Sequence, residues 1–233
     1  MWKLPSADET LPFALLGMTA VTGLVDAVSF LSLGHVFTAN MTGNVVFLGF
    51  AIAGVPEVSA ARSLTALAAF LIGALVGGRV LVKPRADAIQ VPLILFGLEI
   101  ISIAAAMFAA IGYHGDPSPA SIPLYLIVAF TAVAMGMRNA AIRKLGVADL
   151  TTTVLTMTIT GLAADSSLAR GSNPRWQRRL GSILAMFAGA AAGAILVRRS
   201  VFAALAVGLA TLSMCSALLL AATQWEVKTR RAP

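Results

Sequence analysis

The chain has 233 residues, 58% of them hydrophobic and only 12% charged, against roughly 25% charged in soluble domains. Its mean hydropathy of +0.88 places it among polytopic membrane proteins. The formal charge of +7 does not signal nucleic acid, because the Lys and Arg residues fall between apolar runs, where they set topology and meet anionic headgroups.

Apolar runs cover roughly 11–33, 36–54, 64–82, 91–112, 122–141, 150–164, 180–197 and 201–223. Short connections leave no stretch long enough for a soluble domain, so the chain reads as one all-α transmembrane domain over 1–233. Lys3 is followed by Asp8 and Glu9, and the run from Leu11 is too long for the apolar core of a cleaved signal. The first helix is therefore expected to remain as an anchor. Within it, Thr19, Thr22, Gly23, Asp26 and Ser29 step by three or four and form one polar stripe. A carboxylate at such depth costs about 2.5–3.5 kcal/mol on insertion scales. Asp26 is thus either a clamp between helices, with Asn139 or Arg138 as partner, or a group that binds protons or cations.

The second run contains Phe37-Thr38-Ala39-Asn40-Met41-Thr42-Gly43-Asn44, a polar stretch inside apolar sequence. Polar groups at membrane depth must be satisfied internally or line a wet cavity. This predicts a broken or re-entrant helix and half of a solute site, with Thr38, Asn40, Thr42, Gly43 and Asn44 as contacts. The sixth run is its counterpart, rich in threonine from Thr151 to Thr160, and adds Thr152, Thr153 and Thr156 to the candidate set. A helix that starts at membrane depth turns unpaired N–H groups and a positive dipole end inward, favouring an anion or a polar ligand. The structural alternative is that the threonines back-bond to their own helices.

Glu99 in the fourth run reads as an ion-pair partner of Arg79 or as part of a proton relay. In the fifth, Arg138 is expected to snorkel to cytoplasmic headgroups; an inward turn toward Asp26 or an anionic solute is the alternative. Asn139 beside it is a candidate substrate contact. Gly73-x-x-x-Gly77 and Gly189-x-x-x-Gly193 permit close helix contact. They are assigned to packing the two halves of the chain together, while a homo-oligomer stays open. Cys215, the lone cysteine, lies in the last run and can form no intramolecular disulfide. The sequence has no H-E-x-x-H, G-x-S-x-G, P-loop or clustered Cys and His, so no enzyme activity, metal or cofactor is expected.

If all eight runs cross the membrane, the Lys and Arg residues divide nine against eight between the two sides, which specifies no orientation. If the second and sixth dip in and return, six spans remain with both termini cytoplasmic. Of the 17 basic residues only Arg62, Arg198 and Arg199 then lie outside, the asymmetry that cytoplasmic loops require. Trp2, Trp176 and Trp225 fall at the inner interface and Tyr113 and Tyr125 at the outer one. Gly23-Leu24-Val25-Asp26-Ala27 recurs as Gly136-Met137-Arg138-Asn139-Ala140. Leu64, Ala69, Gly73, Ala74 and Gly77 line up at one offset with Leu180, Ala185, Gly189, Ala190 and Gly193. The chain therefore reads as two related halves, about 11–112 and 122–223, inverted because an odd number of crossings separates equivalent points. Inverted repeats characterise many transporters, with the site at the repeat interface near the midplane.

Gly23-x-x-Asp26-Ala27, Leu33-Gly34-x-Val36-Phe37-Thr38-Ala39-Asn40-Met41-Thr42-Gly43-Asn44 and Leu145-Gly146-x-x-Asp149-Leu150-Thr151-Thr152-Thr153 together resemble the YoaK family, bacterial inner-membrane proteins classed as a domain of unknown function. The resemblance covers nearly the whole chain and implies about six spans in a bacterial cytoplasmic membrane. It supplies no substrate, and Met157 interrupts the second Thr/Gly run. The expected function is a secondary transporter or channel for a small polar or anionic solute, with proton coupling through Asp26 as an option and the site between the two Thr-rich runs. The alternative is a membrane scaffold or lipid-binding protein with a dry, fully satisfied interior.

Overall fold

The computed structural model describes residues 7–82, 90–115, 121–145 and 155–231. Among them the chain forms α1 (Ala7–Ser32), α2 (Met41–Ile52), α3 (Ala60–Val82), α4 (Gln90–Ala109), α5 (Ile122–Leu145), α6 (Leu155–Ala164), α7 (Trp176–Val197) and α8 (Val201–Arg231), with a short 3-10 turn, Ser167–Ala169, before α7. No strand occurs among the described residues. The threonine-rich stretch 150–154 lies outside them.

The helix ends have local causes. α1 stops where Gly34 takes φ +79° and the His35 N–H bonds to the Phe30 carbonyl at 3.2 Å, the left-handed closure common at helix C-termini. Gly54, with φ +87°, and the Val55 N–H to Phe50 carbonyl bond of 3.1 Å close α2 in the same way. α2 starts at Asn40, whose Oδ1 accepts the Gly43 N–H at 3.3 Å, so a side chain satisfies one of the donors a helix start leaves open.

Among the described residues, five helices are long and apolar enough to cross a membrane: Glu9–Ser32, Ala60–Leu81, Ile122–Lys144, Trp176–Val197 and Val201–Trp225. The 12 residues of α2 and 10 of α6 reach only about 18 and 15 Å, short of the roughly 30 Å hydrocarbon layer. The apolar stretch Ile94–Ala109 of α4 is also shorter than the five. Leu71, Ile72 and Leu75 on α3 and Leu184, Phe187 and Ile195 on α7 are exposed, an apolar exterior suited to lipid tails.

Glycines set the main helix contacts. A Cβ at Gly23 of α1 would run into the Met186 carbonyl, and one at Gly189 of α7 into that of Ala20. The corresponding pair repeats this: Gly136 of α5 meets the Phe70 carbonyl and Gly73 of α3 that of Val133. One turn on, Gly193 meets Leu24 and Gly77 meets Met137. Each half thus lends its third helix to the other half's first, α1 with α7 and α5 with α3. The two small-residue stripes pack the halves together, as their spacing indicates. Around these pairs, α2 rests on α3 and α6 on α7, α8 on α1 and α4 on α5, and α4 meets α8. Leu15, Met18, Ile103, Leu124, Ile127, Leu205 and Leu212 fill the core between them.

Long-range hydrogen bonds gather the element ends. Arg62, at the start of α3, donates from Nη1 to the Gly34 carbonyl at 3.1 Å, so the end of α1 and the start of α3 lie side by side. Tyr113, just after α4, donates its hydroxyl to the Ser32 carbonyl at 2.8 Å. Its ring is buried, not presented at an interface as the aromatic pattern suggests, because the open carbonyls at the end of α1 give its hydroxyl a partner inside the protein. At the opposite end of α3, Lys144 donates to the Leu81 carbonyl.

Candidate functional site

Between α1 and α2 the chain runs from Phe37 to Asn40 outside any helix, bending at Thr38 and Ala39, with backbone groups that neither helix can satisfy. Asp26, only 9% exposed, meets that need. Its Oδ1 accepts the N–H groups of Ala39 at 2.9 Å and Thr38 at 3.2 Å. Asn44, fully buried, grips the segment from α2: its Oδ1 accepts the Phe37 N–H at 2.9 Å and its Nδ2 donates to the Phe37 carbonyl at 2.6 Å. Thr38 is fully buried beside them, and its Oγ1 has no hydrogen-bond partner. The ring of Phe37 stacks between Phe30 at 5.2 Å and Phe47 at 5.6 Å.

This braced segment forms one wall of a cavity of about 650 Å³, within the range of small-molecule sites. Asp26, Phe37, Ala39, Asn40, Met41, Thr42, Gly43, Val46 and Phe47 line it, with Phe70 of α3; from the second half come Asn139, Leu155, Thr156, Ile159 and Met186. The lining is paired. Asp26 and Asn139 hold corresponding places on α1 and α5, and Phe70 and Met186 on α3 and α7. Met41-Thr42 and Leu155-Thr156 are the first residues of α2 and α6.

Of the residues expected at the site, Asp26, Asn40, Thr42, Gly43, Asn139 and Thr156 come together around the cavity. Thr38 and Asn44 stand behind the wall and support it. Thr152 and Thr153 lie outside the described residues. The apolar lining, Phe37, Phe47, Phe70, Met41, Leu155, Ile159 and Met186, escapes a reading of the sequence because such side chains look like any lipid-facing residue. Phe70 and Met186 carry one signal, since they share the offset that relates Gly73 to Gly189.

The charge partners differ from expectation. Arg138 does not snorkel. It is 2% exposed, forms an ion pair with Glu99, and donates from Nη1 to the Met18 carbonyl at 2.6 Å and to Thr22 Oγ1 at 2.8 Å. Glu99, 1% exposed, therefore pairs with Arg138 and not with Arg79, and Asp26 is bonded to backbone in place of Arg138. The cause is register: α4 lies on α5 with the two charges level, and a charge in a low-dielectric core persists only when paired and hydrogen-bonded. Thr19 bonds back to the Leu15 carbonyl, so that part of the stripe is structural. At the exposed end of α6, Asp165 pairs with Arg179 at 2.7 Å. No group of three or more metal-ligating side chains occurs among the described residues.

Residues 14–219 match the family described as "Protein of unknown function (DUF1275)". The chain belongs to that family. It is also 36% identical over 154 residues to the UPF0700 transmembrane protein YoaK of Bacillus subtilis (strain 168), a match that covers 66% of this chain and 65% of that protein. No solved structure matches. With five long apolar helices among its described residues, this member of the family is a multi-pass membrane protein.

Proposed function

We propose that the protein is a secondary transporter or channel of a bacterial cytoplasmic membrane, with the cavity between α2 and α6 as its site for a small polar solute. The cavity carries this reading, because a scaffold has no need of such a space. Its paired lining supports two inverted halves that meet at the site, as do the matching α1–α7 and α5–α3 glycine contacts, the arrangement through which one repeat rocks against the other in alternating access.

The topology that goes with this has six spans, counting the 20 residues of α4, about 30 Å long, with both termini cytoplasmic and α2 and α6 re-entrant. The Arg62 bond to Gly34 supports a return of α2 to the side it left. Of the two solute classes expected, the anion has less support. The N–H groups of Thr38 and Ala39 are already taken by Asp26, and no Lys or Arg lines the cavity among the described residues.

Uptake into proteoliposomes tests the proposal. Asp26→Asn or Thr42→Val should change the rate for a transported solute; uptake indifferent to both would remove the site. The scaffold reading draws on one observation, that Asp26, Asn40 and Asn44 each hold backbone. It predicts that Asp26 variants lower folded yield with no change in flux per folded molecule.

A further inference from the structure

Building on the reading of the cavity as a solute site, we infer that its solute is an organic cation, an amine in its ammonium form on an apolar body. The described lining carries one formal charge, the carboxylate of Asp26, and no Lys or Arg. Residues 146–154, which lead into α6, contain no Lys or Arg either. Arg138 lies on α5 one residue before Asn139, yet its charge is matched by Glu99 and it is not part of the lining.

Asp26 uses Oδ1 for the N–H groups of Thr38 and Ala39, and the Asn40 N–H is a third backbone donor to its carboxylate. A carboxylate offers about four lone-pair positions on two oxygens, so acceptor capacity remains on the side chain that lines the cavity. Much of the remaining surface is aromatic or thioether: Phe37, Phe47, Phe70, Met41 and Met186. The faces of Phe37 are taken by Phe30 and Phe47, so this ring gives the apolar body of a guest a rigid wall and offers no face to its charge. Thr42, Thr156 and the two amides can orient a bound polar group. An anion would face Asp26 as a like charge, and a neutral guest would leave the carboxylate without a counter-charge. A bare metal ion finds no ligand set among the described residues, and the volume is that of a molecule.

The test uses purified full-length protein in detergent and three probes built on one phenylalkyl body: 2-phenylethylamine, 3-phenylpropionate and 2-phenylethanol, each titrated calorimetrically at neutral pH. The amine should bind about tenfold tighter than the other two, and Asp26→Asn should abolish that preference. Asn139→Asp adds a second carboxylate to the lining without touching the Asp26 bonds and should tighten amine binding, which keeps the test decisive if Asp26→Asn fails to fold. Equal or tighter binding of the carboxylate or the alcohol, no effect of Asn139→Asp, or no binding of any probe overturns the cation assignment. If 3-phenylpropionate binds best while uptake still depends on Thr42, the charge class fails and the cavity stands as a solute site. If no probe binds and uptake is indifferent to both Asp26 and Thr42, both readings fail.

Discussion

Asp26 on α1 accepts the N–H of Ala39 at 2.9 Å, and through that bond a long helix positions the segment that leads into α2 and forms a wall of the cavity. Removing the carboxylate leaves the donors of Thr38 and Ala39 without it, and hydrogen bonds to charged groups are worth about 1.5–3 kcal/mol. Asp26→Ala should lose about that much stability in detergent. Asp26→Asn keeps an acceptor, as Asn139 does at the corresponding position, and should lose less than half of it. Denaturant unfolding of the two variants checks this; equal losses would mean that the bonds do not brace the segment.

The Glu99–Arg138 pair joins α4 to α5, and Arg138 carries the contact on to Met18 and Thr22 of α1. Glu99→Gln leaves a buried guanidinium without its counter-charge, a loss of about 3–5 kcal/mol. The double variant Glu99→Leu with Arg138→Met should recover most of it, since apolar replacement of a buried pair is often neutral. Unfolding midpoints of the single and double variants decide, and a Glu99→Gln protein as stable as the parent would contradict the pair.

Glycine substitutions separate contact from mere helix content. At Gly73 or Gly189 even an added methyl meets backbone of the partner helix, so Gly73→Ala and Gly189→Ala should each lose about 1–3 kcal/mol by overpacking. At Gly49 and Gly97 a Cβ meets nothing within 4 Å, and alanine there should be neutral or gain up to about 1 kcal/mol. Thermal midpoints in detergent should fall for the first two alone.

Single cysteines at His35 and Val58, in a Cys215→Ala background, bracket α2. The bond between Arg62 and Gly34 predicts that an impermeant thiol reagent labels both from the same face of sealed vesicles. Labelling from opposite faces would make α2 part of a plain crossing.

Glycines at four-residue spacing bring backbones close wherever they pack, so the contact between halves is legible before any partner is known. The break at Phe37–Asn44 is legible too, because threonine and asparagine interrupt an apolar run. Its wiring is not: Asn44 turning back on Phe37 depends on the path of the bent segment between α1 and α2. Arg138 misleads because snorkelling and pairing look alike along one helix, and only the register of α4 against α5 selects Glu99. Tyr113 misleads in the same way, its partner being a carbonyl at the end of α1.

Access of water and solute to the space between the first turns of α2 and α6 is what the transport reading requires. It is tested most directly by placing single cysteines at Thr42 and Thr156 in the Cys215→Ala protein and treating sealed vesicles with an impermeant, positively charged thiol reagent. Both positions should be modified, and a bound solute should protect both. Unreactive cysteines at both positions, from both faces of the membrane and in folded protein, would contradict it and leave a dry scaffold.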